Sequence, residues 1–323
     1  MESASSRNFS VSFHNEEVSV VINTLLLSIN GIIGLLGIAG NGLVCVVFLF
    51  ERPVFGSITN TLILNQSVID LTNSCLFILL TFTPGYNIDA KSIFFNIVCP
   101  LWVSKFPFWS ISGASTCNLM LLSLERYFAI SRPIKHKRVF TKKRARIYCI
   151  SVWLLGFLFS LYIPLVQRVS EDHQCVIVWR NKVAQKINGI FIFLAGYLIP
   201  LFVICASYIS IWSTLHKRVN SDQVQIESFS RAKKNVTITL FLVGIFFIIC
   251  WSPDSFLYLT YNINGAFYLY GTTHKVAKFL VECNMIVNPV VYCIKYDKFR
   301  KALKNMFYGS RGVSNSGNSG SFN

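Results

Sequence analysis

Seven long apolar runs restrict what this chain can fold into. Each is near the length of about 20 residues that a helix needs to cross a membrane. Only 14% of the 323 residues are charged, well below the level of about 25% that is typical of soluble proteins. The pattern predicts an all-α bundle of seven membrane-spanning helices. The predicted spans, numbered 1 to 7 in chain order, are Asn23–Phe50, Ile58–Phe82, Val98–Ser131, Ala145–Val166, Ile187–Leu215, Val236–Tyr261 and Val276–Ile294.

Lysine and arginine residues predict which side of the membrane each segment occupies. With the amino terminus outside, the inner segments hold twenty of these residues and the outer segments hold seven. Because positive residues accumulate on the cytoplasmic side, we expect a plasma-membrane protein with an extracellular amino terminus and a cytoplasmic carboxyl terminus. Residues 1–22 then form an extracellular tail, in which Asn8 is expected to carry a glycan. The net charge of +16 lies mostly in these loops, so nucleic-acid binding is not expected.

The chain beyond span 7 divides into two parts. In residues 295–308, apolar residues recur every four positions from Phe299, and lysines and arginines fill the gaps. This pattern predicts an amphipathic helix that lies on the lipid surface. Residues 309–323 are rich in Ser, Gly and Asn and are expected to be a disordered cytoplasmic tail. The seven-transmembrane domain is therefore predicted over residues 23–294.

Span 3 ends in an acid, a base and a phenol, Glu125-Arg126-Tyr127. An arginine at bilayer depth is costly unless a partner or a cavity accommodates it. The adjacent Glu125 would hold both charges in a pair near one membrane face. The alternative is that two ordinary charges mark the end of a helix.

A second group of polar residues surrounds Asp70, in the middle of span 2. A carboxylate inside a bilayer is costly, so a functional interpretation is the default. Asn41, Asn284 and Asn288 could donate hydrogen bonds toward it. Such a cluster would satisfy the buried acid and could hold a small cation.

A third group lies in the outer halves of spans 6 and 7. Asp254 follows Pro253, and Glu282 lies about two turns before Pro289. Lys278 is four residues from Glu282, so these two charges could neutralise each other on one helix face. Asp254 would then remain as the uncommitted acid of a ligand pocket. The other residues predicted for this pocket are Trp102, Lys105, Phe108, Tyr258 and Tyr261.

Two of the ten cysteines, Cys99 and Cys175, fall on the predicted outer side. An oxidising exterior permits a disulfide between them, which would tie the second outer loop to the top of span 3. The alternative is two free thiols. The other cysteines lie within spans, where they are expected to act as small packing residues.

Taken in order, these residues resemble the rhodopsin-like G-protein-coupled receptors, from about Asn23 to Tyr308. Single motifs of this kind are weak, but the whole set in the right spans is specific. The matching residues are Gly40-Asn41-x-x-Val44, Leu64-Asn65 with Asp70, Glu125-Arg126-Tyr127 with Pro133, Trp153, Pro200 with Tyr208, Phe247 with Cys250-Trp251-Ser252-Pro253, Asn288-Pro289-Val290-Val291-Tyr292, and Phe299-Arg300.

The resemblance implies a mechanism with named residues. An agonist from outside would rearrange spans 5, 6 and 7, with Trp251 as the packing switch beneath it. Arg126, Tyr208 and Tyr292 would then open a cytoplasmic cleft for a heterotrimeric G protein, and arrestin is a further expected partner. No cofactor is expected apart from an allosteric sodium ion. The sodium ligands of the family match Asp70, Ser115, Asn284 and Asn288.

The chain departs from the family pattern at two positions that affect the expected site. Cys99 lies two residues farther from Arg126 than the family norm, and a bulge near Pro107 could absorb them. Lys233 stands where an acid often faces the arginine of span 3, so an ionic lock is not expected. Amine and retinal ligands are disfavoured, because Phe108 aligns with the amine-binding acid and Glu282 stands where retinal-binding members carry lysine. A peptide is the favoured ligand.

Two other classes of function were weighed against the receptor. A multi-pass transporter or channel could use Asp70 and Glu282 along an ion path. However, the two halves of the chain show no clear repeat, and the triad beside a basic loop has no evident use in transport. A membrane enzyme is disfavoured, because no catalytic motif or cluster of metal ligands is present in the sequence.

Overall fold

The computed structural model describes residues 2–51, 53–83, 94–172, 174–219, 227–265 and 272–308. For residues 2–23, 218, 219, 227–234, 272 and 308 it describes the backbone only. Two predictions therefore lie outside what is described, namely the glycan on Asn8 and the disorder of residues 309–323.

The chain folds into a bundle of long helices, as predicted. We number them as helix 1 (Glu2–Phe50), helix 2 (Ile58–Phe82), helix 3 (Phe106–Ser131), helix 4 (Lys142–Ser160, continued by Tyr162–Val166), helix 5 (Lys182–Phe193 and Ile199–Val219), helix 6 (Glu227–Asn264), helix 7 (Thr272–Lys295) and helix 8 (Asp297–Tyr308). Helix 8 is the predicted surface helix. Helix 1 begins well before the predicted start at Asn23.

Six of these helices contain stretches that are long and apolar enough to cross a membrane. Helix 3 does not meet that criterion, although it has 26 residues. The reason is its place in the bundle, since it packs against helices 2, 4, 5 and 6 and meets protein where the others meet lipid. Serine, threonine and asparagine side chains can therefore be buried along it and hydrogen-bonded to neighbouring helices.

Two helices carry a short stretch of the wider π-helical turn. In helix 5 this stretch, Leu194–Leu198, lies just before Pro200. Proline lacks a backbone N–H and clashes with the carbonyl of the preceding turn, so the local hydrogen bonds are displaced. The second stretch, Cys99–Val103, follows the short helix Phe95–Val98 at the start of predicted span 3.

Predicted span 3 is broken at its outer end. Lys105 adopts the left-handed conformation with φ 57° and separates the π-helical turn from helix 3. Pro107 fits directly after the break, because the first turn of a helix does not need its N–H. The break changes the helical register, and therefore sets which side chains of helix 3 face inward beyond it.

A short hairpin forms most of the second outer loop. Strand β1 (Gln167–Val169) pairs in antiparallel fashion with strand β2 (Cys175–Ile177). Cys175 is joined to Cys99 by a disulfide, as expected, and the other eight cysteines are free. The hairpin and a short inner helix of seven residues, Pro133–Val139, were not predicted from the sequence.

Candidate functional site

Glu125 and Arg126 form a buried ion pair at the inner end of helix 3. The exposed fraction is 0% for Glu125 and 7% for Arg126. Arg126 Nε lies 2.7 Å from Glu125 Oε2, and one terminal nitrogen lies 2.8 Å from Oε1, so the guanidinium grips both carboxylate oxygens. Two parallel charge-assisted bonds make this a strong pair. Tyr127 is half-buried, and its ring packs 5.2 Å from that of Phe128.

Two further residues hold the same carboxylate. Thr59 of helix 2 donates to both oxygens of Glu125 at 3.2 and 3.1 Å and accepts a bond from Arg126. His136, on the helix that follows Pro133, lies with Nε2 2.8 Å from Glu125 Oε1. Glu125 therefore ties helix 2, helix 3 and the inner loop together and holds the guanidinium of Arg126 in a buried position.

The inner end of helix 6 is held by an amide. Asn235 Nδ2 donates to the carbonyl of Lys295 at 2.8 Å, and its Oδ1 accepts from the backbone N–H of Asp297 at 3.0 Å. These bonds attach helix 6 to the junction of helices 7 and 8. The side chain of Lys233 lies outside the described atoms, so the expected lack of an ionic lock remains a prediction.

An apolar cluster separates the inner site from the outer half of the bundle. Tyr208 of helix 5 and Tyr292 of helix 7 are both buried in it, together with Phe247 of helix 6. Trp251 packs on this cluster with its ring centroid 6.0 Å from that of Phe247. Because Trp251 also lines the outer cavity described below, a change there can reach the packing around both tyrosines. Pro253 and Pro289 interrupt helices 6 and 7.

Asp70 is buried in the middle of the bundle and accepts hydrogen bonds from three side chains. Gln66 Nε2 lies 3.1 Å from each carboxylate oxygen, Ser115 Oγ lies 2.9 Å from Oδ1, and Asn288 Nδ2 lies 2.5 Å from Oδ2. Asn41 instead donates to the carbonyls of Gly37 and Met285. Within the described ranges, no hydrogen bond joins Asn41 or Asn284 to Asp70, so only one of the three expected asparagines satisfies the acid.

The outer half of the bundle encloses a cavity of about 750 Å³. Cys175 and Ile177 of strand β2 line it together with residues of helices 3 to 7. Of the eight predicted pocket residues, five line it: Lys105, Asp254, Tyr258, Tyr261 and Lys278. Lining residues that the sequence reasoning missed include Trp109, Tyr162, Trp179, Phe193, Asn262 and His274.

Three predicted pocket residues are not among the described lining residues. Phe108 is buried between helices 2 and 7, with its ring 5.8 Å from that of Phe77, and Trp109 faces the cavity instead. A change of one residue rotates a side chain by about 100° around a helix, and the break at Lys105 sets this register. Trp102 donates to the carbonyl of Thr83 at 2.7 Å. Glu282 is buried, with an exposed fraction of 8%, but it is not among the lining residues of the cavity.

Only some of the polar groups that line the cavity form hydrogen bonds or ion pairs with other described residues of the protein. Tyr258 donates to Tyr162 at 3.1 Å and accepts from Asn188 at 3.1 Å. By contrast, among the described residues Lys278 has no ion pair with Glu282 within 4.0 Å, and Asp254 has none with any base. The indole nitrogens of Trp179 and Trp251 are buried without a hydrogen-bond partner in the described chain.

The family model for the seven-transmembrane receptors of the rhodopsin family matches residues 40–292. The allatostatin-A receptor of Bombyx mori is 28% identical over 313 residues, which is 93% of this chain and 84% of that protein. Galanin receptor 2a of Danio rerio is 31% identical over 297 residues, or 90% and 79% of the two chains. Human galanin receptor type 1 is 28% identical over 306 residues, or 89% and 82%.

Proposed function

The chain belongs to the rhodopsin family of seven-transmembrane receptors, and from that premise we propose that it binds an extracellular peptide and activates a heterotrimeric G protein. One observation carries the proposal. A single helix bundle holds a cavity at its outer end and the buried Arg126 at its inner end, and Trp251 lies between them. The relatives' names point to peptide ligands, since they are allatostatin and galanin receptors.

The wall of the cavity fits an amide-bearing ligand. Trp179 and Trp251 each offer a buried N–H that has no hydrogen-bond partner among the residues that the structure describes. Leaving such a donor unsatisfied is costly, so a ligand carbonyl that accepts from it gains the corresponding free energy. Asp254 and Lys278 add charges of opposite sign, and neither lies within 4.0 Å of an oppositely charged side chain among the described residues. A peptide carries carbonyls, N–H groups and charged ends, which complement all of these groups.

At the inner side, ligand binding would act by shifting the populations of two states. The described state holds Arg126 on Glu125 and ties helix 6 to helix 8 through Asn235. A ligand that favours release of these contacts frees Arg126 for the G protein. Arrestin would bind the same opened face.

The function is tested by expressing the full chain in cells with separate sensors for the main G-protein classes. We expect a library of extracellular peptides to contain an agonist that activates at least one sensor. Cells without the receptor control for endogenous responses. Activation by small amines with no response to any peptide would overturn the peptide assignment, and ligand-driven ion current without sensor activation would favour the transporter or channel.

Replacing Asp254 with asparagine is expected to lower agonist potency by roughly 10- to 100-fold. The carboxylate lines the cavity, and we expect it to accept a charge-assisted hydrogen bond from a basic or amide group of the peptide. Such bonds contribute about 1.5–3 kcal/mol, and about 1.4 kcal/mol corresponds to one decade of affinity. Dose–response curves at equal surface level measure the effect. Asp172→Asn, in the exposed outer loop, is the matched control and should leave potency unchanged. An unaltered potency for Asp254→Asn would favour a ligand held by aromatic packing.

The proposed orientation places the amino terminus outside the cell. An epitope added before residue 2 should be stained on intact cells, whereas one added after Asn323 should need permeabilised membranes. With that topology, Asn8→Gln should lose a glycan and run faster on a gel. Staining of the amino-terminal epitope only after permeabilisation, with the carboxyl-terminal epitope stained on intact cells, would reverse the orientation.

A further inference from the structure

Gln66 contacts both the carboxylate of Asp70 and the hydroxyl of Ser115, two groups that a cation near Asp70 would need. Its Nε2 is 3.1 Å from both carboxylate oxygens of Asp70 and 2.6 Å from Ser115 Oγ. All three side chains are buried, with exposed fractions of 0% to 2%. One amide nitrogen thus contacts three of the oxygens that the expected sodium site would provide.

The direction of the Gln66 amide is set by its other end. Its Oε1 accepts from Asn118 Nδ2 at 2.8 Å, and the same nitrogen donates to the carbonyl of Leu62 at 3.1 Å. A reversed amide would bring Oε1 against the carboxylate of Asp70 and oppose two N–H groups at Asn118. The hydrogen-bond network therefore fixes the orientation with the nitrogen on Asp70.

The network continues across the bundle. Asn118 Oδ1 accepts from Asn65 at 3.0 Å, and Asn65 Oδ1 accepts from the indole of Trp153 at 3.2 Å. On the opposite side, Asn288 completes the connection to helix 7. A continuous series of hydrogen bonds between side chains thus joins helices 4, 2, 3 and 7. Each bond in the series has both its donor and its acceptor on the protein.

The four expected sodium ligands fit an ion poorly in this arrangement. Asp70 and Ser115 are bonded to Gln66, and Asn288 presents its N–H group to the acid. Asn284 has no hydrogen bond to the acid in the described structure. Of the buried polar atoms of these four residues, Asn288 Oδ1 is the one left without a hydrogen-bond partner in the described structure, and a single amide oxygen is a weak cation site.

We propose that the Gln66 amide takes the place of the sodium ion in this receptor. The amide is held on the chain beside its acceptors, so an ion must displace a tethered group at high effective concentration. Displacement would also leave Asn118 without its acceptor, and an unmade buried hydrogen bond is costly. The receptor therefore keeps its polar core without a cation and is insensitive to sodium.

The test uses the purified full chain and sodium itself as the probe, so no agonist is required. Melting temperatures are compared in NaCl, KCl and choline chloride, each at about 150 mM so that ionic screening is equal. We expect the wild type to melt at the same temperature in all three, within about 1 °C. A saturable increase that is specific for sodium in the wild type would overturn the proposal.

Gln66→Leu should convert the receptor into a sodium-binding one. The substitution removes the amide and leaves Asp70, Ser115 and Asn288 Oδ1 open to an ion. If sodium is present at about ten times its Kd, the melting temperature of this variant should be about 3 °C higher in NaCl than in KCl. Adding Asp70→Asn to this variant should abolish the gain. A folded Gln66→Leu that ignores sodium would contradict the role of the amide. Gln66→Met serves the same purpose if the leucine variant does not fold, and the wild-type comparison decides in either case.

Discussion

Replacing Arg126 with alanine should abolish signalling while leaving agonist binding largely intact. In the active state we expect this side chain to leave Glu125 and meet the G protein. Loss of one charge-assisted hydrogen bond there, worth about 1.5–3 kcal/mol, already lowers coupling by roughly 10- to 100-fold. The outer cavity lies on the far side of the Tyr208 and Tyr292 cluster, so its walls should persist. Sensor activation and agonist binding, measured on the same cells, separate the two effects.

The chain offers a matched control on the same side of the membrane. Arg146 is exposed near the inner end of helix 4 and forms no ion pair among the described residues. Arg146→Ala should therefore signal normally at equal surface level. Glu125 keeps Thr59 and His136 as partners in Arg126→Ala, which favours a folded variant. Full coupling by Arg126→Ala would remove this residue from the activation machinery.

The bundle itself was predictable because membrane spans are recognised by length and apolar composition alone. The exception is the outer end of span 3. Ser104 and Lys105 are the only polar residues between Val98 and Trp109, so the hydropathy of the whole run gave no sign of the break. The spacing of Cys99 and the presence of Pro107 were the only clues, and neither determines which residue turns left-handed.

The same break explains the errors in the predicted pocket. Phe108 was assigned to the cavity from its alignment with the family pattern, whereas the structure places Trp109 there. Trp179 could not be assigned, because it reaches the cavity from a loop whose path depends on the disulfide of Cys175. Contacts of this kind depend on tertiary packing, which periodicity along a single helix does not contain.

The buried polar residues were predictable as a group, but their partners were not. Asp70 was identified because an acid inside a membrane span needs hydrogen-bond donors or a counter-charge around it. Gln66 lies one helical turn before it and could have been found from that spacing alone. His136 and Thr59 gave no such signal, since one lies in a basic loop and the other near a helix start, where polar residues are ordinary.

The contact between helices 3 and 4 leaves no room for a side chain at Gly156. A Cβ added at this residue would lie 2.4 Å from both the backbone nitrogen of Ala114 and the carbonyl oxygen of Ser110. Backbone atoms cannot rotate away as a flexible side chain can, so the helices must separate. Close packing is what holds membrane helices together, because lipid offers an equally apolar alternative.

Gly156→Ala is therefore expected to lower the melting temperature of the purified receptor by roughly 5 °C, since overpacking costs about 1–3 kcal/mol. Gly42→Ala in helix 1 is the matched control, because an added Cβ there meets nothing within 4 Å. Alanine is the better helix former, so that variant should be unchanged or slightly more stable. Separation of helices 3 and 4 would also stretch the Trp153–Asn65 bond that connects helix 4 to the Asp70 network. Equal melting temperatures for the two variants would show that the helices adjust freely, and the packing at Gly156 would then have no part in holding the site.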